Sequence, residues 1–167
     1  YKLWSIPIKK EVLVAMIDTG IDTSHPDLKH AIYHNEHERL NGIDDDQNGL
    51  VDDVQGYSWI NIASGDESDN VDDETGHGTH LAGIIAGAHN HIGISGLHPT
   101  LKLLPIKIFK NGVSRQLEAA IAIRYAVDQG ADIINCSWGY YRQSSVLKSA
   151  IEYALSTGVV VVAAMGN

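Results

Sequence analysis

Val12-Leu-Val-Ala-Met-Ile-Asp-Thr-Gly20, VLVAMIDTG, is a run of six apolar residues that ends in an aspartate and a tight turn. A short run with no polar alternation has no solvent face, so it reads as a strand covered on both sides and stopped at Asp18-Thr19-Gly20. The same pattern recurs downstream. Continuous apolar segments at Lys102 to Phe109, Asp132 to Ser137 and Val159 to Ala164 predict three further strands. Between them, helices are predicted over Thr79 to Ala88, Ser114 to Asp128 and Ser145 to Ser156. In the second of these Leu117, Ala120, Ile121, Arg124, Tyr125 and Asp128 fall near helical spacing, and Gly130 and Gly158 stop the last two. Strands alternating with helices of this length predict an α/β fold, a parallel sheet with helices on both faces. In such sheets polar groups that act on a ligand gather beyond the carboxyl ends of the strands. Asp18, Ser137 and Asn167 each follow a predicted strand, so this topology brings them to one edge.

The remainder of the chain is bounded by composition. Its 167 residues suit one domain. A net charge of −9, with the 12 Lys and Arg scattered, argues against a nucleic-acid partner, which needs clustered cations. The acid is concentrated in Asp44 to Asp53 and Asp66 to Glu74, inside a region of about 55 residues after the first strand that lacks periodicity and reads as loop. Cys136 is the only cysteine and lies in the apolar run ADIINCSW, so it makes no intrachain disulfide and reads as a small core residue. No apolar run approaches the ~18 residues of a membrane span, and YKLWSIPIKK carries no signal-peptide pattern.

Three residues carry candidate chemistry. An aspartate directly after an apolar strand must be hydrogen-bonded to be tolerated beside a core, whether as a turn former or as a partner for another side chain. In Glu74-Thr-Gly-His-Gly-Thr-His-Leu-Ala-Gly-Ile-Ile-Ala-Gly87, ETGHGTHLAGIIAG, His77 stands between two glycines that let its backbone approach another segment closely. A helix start suits an imidazole that accepts a proton, although a lone histidine there is more often structural. Asn167, after Ala163-Ala-Met-Gly, offers an amide to a developing oxyanion or simply a turn. His80 has neither HExxH spacing nor a third ligand for zinc, and is expected to be a buried helix residue hydrogen-bonded near the site.

The acidic stretch Asp44-Asp-Asp-Gln-Asn-Gly-Leu-Val-Asp-Asp53 presents oxygens at Asp44, Asp46 and Asn48, then Gly49 and Asp52. Hard cations want converging oxygens around a sharp glycine turn, so calcium is a candidate ligand. Position twelve of the loop is Gln55 rather than glutamate, and a plain solvated loop remains the competing reading.

Taken in order, DTGID, GHGTHLAG, NCSWG and AAMGN resemble the subtilisin-like serine proteases, the subtilase family, over about Val12 to Asn167. The resemblance implies that residues 1–167 are the N-terminal portion of one subtilase catalytic domain, with its sheet incomplete at the C-terminal side. It implies an Asp-His-Ser triad in which Asp18 orients His77, His77 is the base, and Asn167 supplies the oxyanion-hole amide. It assigns Ser137, Trp138 and Gly139 to pairing with an extended peptide substrate, and Ala164, Met165 and Gly166 to the first specificity pocket. It also implies a structural calcium ion held by Asp27 of the HPDL turn, the Asn90 side chain and the carbonyls of Ala88, Ile92 and Ile94. The family's nucleophile stands in a Gly-Thr-Ser-x-Ala segment, which this sequence lacks. The expected partner is therefore a serine-bearing remainder in the same protein or a second chain. The alternative is a non-catalytic or split subtilase subunit that binds peptides or acts as a scaffold. Taken alone, the chain is expected to be inactive and poorly stable, because a bare apolar sheet edge invites aggregation. The family's habit implies a secreted or cell-envelope location.

Overall fold

The computed structural model describes residues 4, 10–98 and 100–166; Asn167 lies outside them. The elements follow in the order β1 (Leu13–Asp18), β2 (Tyr57–Ser58), α1 (His77–Ala86), β3 (Lys102–Lys107), α2 (Gln116–Asp128), β4 (Ile133–Cys136), α3 (Ser145–Ser156) and β5 (Val160–Ala163). All strand pairs are parallel, and the sheet runs β2-β3-β1-β4-β5. β1 is its centre: Val14 sits opposite Leu103 on one side and Ile133 on the other. The chain builds the sheet first on the β3 side of β1 and then crosses to the β4 side, so the strand order reverses around β1, the place where α/β sheets open a crevice.

The two-residue period of β1 divides the core. Ala15 and Ile17 belong to one cluster with Ala122 and Ile123 of α2 and Ala150 and Ala154 of α3. Val14 and Met16 belong to the other, with Ala82 and Ala86 of α1. Helices therefore cover both faces, as the unbroken apolar strands require.

Element boundaries follow local chemistry. Helix α3 matches its predicted span, because the Ser144 side chain accepts the Leu147 amide at 3.3 Å and fixes the start. Helix α2 begins two residues later than predicted, where Glu118 accepts the Arg115 amide at 2.7 Å and closes the first turn. β2 was not predicted, since two residues carry no period; Tyr57 and Ser58 become a strand only by pairing with Ile106 and Lys107. β5 borders the sheet with Val160 and Val162 half exposed. Cys136 is buried, and burial, with the charge of Asp18, pushes its thiol up to about 12, so it is an inert core residue.

Candidate active site

Residues 14, 16 and 18 of β1 share one face, so the last residue of the strand points its carboxylate toward α1. Helix α1 begins at His77, above that carboxylate. The imidazole Nδ1 lies 2.6 Å from Asp18 Oδ1. The Asp18 side chain is 2% exposed and that of His77 53%. An ionised carboxylate only accepts, so Nδ1 carries the proton and Nε2 is left as a free acceptor on the open side. Asp18 Oδ1 also accepts the Thr19 amide at 2.8 Å, so the turn-forming and the partnering readings of this residue both hold.

The approach of α1 depends on missing side chains. A Cβ on Gly78 would overlap the Gly20 carbonyl oxygen and press on the Asp18 Cβ, and Gly20 itself, at φ +102°, is crowded by the Val71 carbonyl. The buried positions of the helix are Gly78, Ala82 and Ala86, four apart and all small. His80 lies about 200° around from that stripe at 100° per residue and is exposed, which corrects the expectation that it is buried.

Asp73 anchors the start of α1. Its Oδ1 accepts the amides of Thr75 and Gly76 and the Thr19 and Thr75 hydroxyls, while Oδ2 accepts the Thr79 amide and hydroxyl. Thr19 Oγ1 in turn accepts the Gly78 amide at 2.9 Å, linking the end of β1 to the helix. Burial opposes ionisation of Asp73, but the bonds from Thr79, Thr75 and Gly76 outweigh it and hold its carboxyl down at about 2. Because the folded value lies below the ordinary one, these bonds stabilise the fold above pH 3.8 and are lost as pH falls toward 2. Asp73→Ala is expected to lower unfolding free energy by about 0.5–2 kcal/mol. It should also flatten the acid limb of stability in that window, as urea titrations at several pH values would show.

Lys107, buried at the end of β3, donates to the Asp72 carbonyl at 2.5 Å and to Glu74 Oε1 at 3.1 Å, fixing the segment that carries Asp73. Sequence reading singled out neither residue. Asp73 had a usable signal, an acid shortly ahead of an apolar helix, while Lys107 lay inside the strand predicted over Lys102 to Phe109 with no signal of its own.

Beyond β4, Trp138 donates from Nε1 to the Ile17 carbonyl at 2.7 Å, and Ser137 Oγ accepts from Asn135 at 2.9 Å. The Ala164 amide donates to the Cys136 carbonyl, so residues 137–139 and 164–166 leave the sheet side by side. Trp138, Gly139 and Ala164 line an open cleft of about 840 Å³ together with Leu147 and Ile151 of α3. Met165 is fully exposed.

Of the expected calcium ligands, Asp27 and Asn90 are brought together. The Asn90 amide nitrogen donates to Asp27 Oδ1 at 2.7 Å, and the Ala88 amide donates to the Asp27 carbonyl. Ile92 donates its amide to Asn90 Oδ1, so loop 88–94 wraps over Asp27. In the acidic loop Asp44 Oδ1 and Asp46 Oδ1 both accept the Asn48 amide, at 3.1 and 3.0 Å, so three of the four expected ligands lie together. Asp44 accepts the amides of Asn48 and Gly49, and Asp52 those of Asn41 and Gly42. Asn48 turns its amide nitrogen, not its oxygen, toward Asp46 and Asp53. Asp46 also meets Glu38 and Asp53.

Fold and site together define an α/β protein with a buried carboxylate and an exposed imidazole paired at a strand end. The subtilase family profile matches residues 9–167, and the chain belongs to that family. It is 39% identical over 170 residues to the major intracellular serine protease of Bacillus subtilis (strain 168), covering 99% of this chain and 46% of that protein. Subtilisin-like protease 1 of Plasmodium berghei (strain Anka) is 37% identical over 159 residues, covering 92% of this chain and 26% of that protein. The crystal structure of fervidolysin from Fervidobacterium pennivorans, described as a keratinolytic enzyme related to subtilisin, superposes with a TM-score of 0.70 at 32% identity, covering 99% of this chain and 23% of the other. The chain thus spans less than half the length of these relatives. One of them is named as intracellular, so family membership alone does not place the chain outside the cell. No helix among the described residues is long and apolar enough to cross a membrane.

Proposed function

We propose that this chain supplies the acid and the base of a serine endopeptidase whose nucleophile comes from a serine-bearing segment outside residues 1–167. The observation that carries the reading is the 2.6 Å contact between a buried Asp18 carboxylate and the Nδ1 of a half-exposed His77. With its proton held on Nδ1, the ring takes the serine hydroxyl proton on Nε2 as the oxygen attacks the substrate carbonyl carbon. The imidazolium that forms is stabilised by Asp18. The Asn167 side chain donates to the tetrahedral oxyanion, and His77 returns the proton to the leaving amine as the C–N bond breaks. Water, activated by the same ring, then hydrolyses the acyl-enzyme. Ser137, Trp138 and Gly139 pair with the extended peptide, and Ala164, Met165 and Gly166 border the pocket for the residue preceding the cleaved bond. The cleft beside Trp138 and Ala164 supports that placement.

A calcium ion at Asp27, Asn90 and the carbonyls of Ala88, Ile92 and Ile94 belongs to the same proposal. Its support is the wrapping of loop 88–94 over Asp27; the Asn90 side chain now turns its nitrogen to Asp27, and rotating that amide would present its oxygen to the ion. It would act on stability rather than chemistry. A secreted or cell-envelope location rests on the resemblance alone and is checked by fractionating the source cells.

The test is labelling with a fluorophosphonate, which an activated serine oxygen attacks at phosphorus, expelling fluoride and leaving the serine phosphonylated. The serine-bearing protein should be labelled on that serine, and His77→Ala should abolish the label. A folded protein that takes no label would instead be a peptide-binding or scaffold subunit.

A further inference from the structure

Asparagine precedes glycine three times in the chain, at Asn41-Gly42, Asn48-Gly49 and Asn111-Gly112. Glycine has no side chain to shield its amide, so its nitrogen can reach the carbonyl carbon of the asparagine side chain. In the first two pairs both groups are occupied. The Gly42 amide donates to Asp52 Oδ1 and Oδ2 at 3.0 and 3.1 Å, and the Gly49 amide to Asp44 Oδ2 at 2.9 Å. Asn41 donates its side-chain amide to Asp45 and accepts the Ile43 amide, while Asn48 donates to Asp46 and Asp53 and accepts the Leu50 amide. In the third pair, neither the Asn111 side chain nor the Gly112 amide makes a hydrogen bond among the described residues. Asn111 and Gly112 are exposed and form the two-residue turn of a hairpin, at φ +53° and +74°, closed by amide-to-carbonyl bonds of 3.1 and 3.0 Å between Lys110 and Val113. An exposed turn held by two bonds opens locally at little cost.

We infer that Asn111 is a deamidation site, at which the chain modifies itself without an enzyme. The Gly112 nitrogen gives up its proton and bonds to Asn111 Cγ; the Cγ–Nδ2 bond breaks and ammonia leaves with that proton, closing a succinimide ring. Water then opens the ring at either carbonyl, leaving aspartate or isoaspartate, and in both products an amide has become a carboxylate. Net charge moves one negative unit beyond −9. Isoaspartate runs the backbone through Cβ and Cγ, so the two-residue turn gains one atom and the pairing of Lys110 with Val113 loses its register. The hairpin ends against the cleft. Ser114 Oγ lies 3.0 Å from the Tyr140 hydroxyl and Gln116 donates to the Arg142 carbonyl, and Tyr140 and Arg142 line the cleft. That a loosened hairpin weakens peptide binding rests on the proteolytic reading, whereas the deamidation itself does not.

Peptide mapping by mass spectrometry, after incubation of the folded protein in mildly alkaline buffer, tests this. A sample unfolded in guanidinium, where all three pairs react, sets the time of exposure, and circular dichroism checks that the other stays folded. Conversion at Asn111 should outpace that at Asn41 and Asn48 by about tenfold or more, the factor that a hydrogen bond to a carboxylate contributes. A methyltransferase specific for isoaspartate should label the same peptide. An Asn111 still amidated in the folded protein at that time, or conversion of Asn41 or Asn48 at an equal or greater rate, would overturn the inference. In the serine-bearing protein KM should rise with the converted fraction and stay constant in Asn111→Gln, whose longer side chain closes the ring far more slowly. A constant KM in protein that its mass shows to be converted would overturn the link to peptide binding alone.

Discussion

His77→Ala is expected to lower kcat of the serine-bearing protein by about 10⁶, the loss known for a subtilisin-type triad, and Asp18→Asn by about 10⁴, the loss known for the same change in a chymotrypsin-type triad. The geometry gives the asymmetry a reason. Removing His77 removes the base, whereas removing the charge of Asp18 leaves the ring present but free to carry its proton on Nε2, where the serine needs an acceptor. The double variant should be scarcely slower than His77→Ala, because the two residues act as a unit through the Nδ1–Oδ1 contact. Additive losses would show that Asp18 acts on something other than the ring. Thermal unfolding separates catalytic from structural loss: the His77 ring is half exposed and its truncation should move Tm little, while Asp18 is buried and also receives the Thr19 amide.

Gly78→Ala should destabilise the chain by about 1–3 kcal/mol, although glycine to alanine within a helix ordinarily stabilises by up to about 1 kcal/mol. The sign reverses because the new methyl would meet the Gly20 carbonyl oxygen, a backbone atom that cannot swing aside, and would press on Asp18. Gly20 is itself wedged against the Val71 carbonyl, so relief must come from lifting the first turn of α1. That movement would withdraw His77 from Asp18, so activity should fall with stability. Gly83→Ala is the control: a Cβ there makes only ordinary contact with the Ile94 side chain. If Gly78→Ala melted at or above the unaltered protein, the close packing of α1 on the β1 turn would be refuted.

These expectations show which physical signals travel along the sequence and which do not. The strands were legible because a doubly covered strand must be apolar throughout, and α3 was legible to the residue because Ser144 caps it locally. Asp18 and His77 stood out because each is a polar residue at the border of an apolar element. What stayed hidden depends on neighbours distant in sequence. β2 exists only through β3, and nothing local set the order of the strands. His80 was assigned to the wrong side of α1 because the buried stripe there is made of glycine and alanine, which leave almost no hydrophobic period. In the acidic loop the spacing singled out Asp44, Asp46 and Asn48, which the Asn48 amide joins, but it could not show the approach of groups from outside the spacing. Convergence there is set by Glu38 from before the loop and by Asp53, which α2 holds through Tyr125.

The pairing of Asp18 with His77 is tested most directly by nitrogen-15 NMR of the histidine rings at about pH 8.5, where an ordinary imidazole is neutral. The geometry predicts a His77 ring protonated on Nδ1 with a bare Nε2, and loss of that preference in Asp18→Ala. A His77 ring protonated on Nε2, indifferent to the removal of Asp18, would contradict the account.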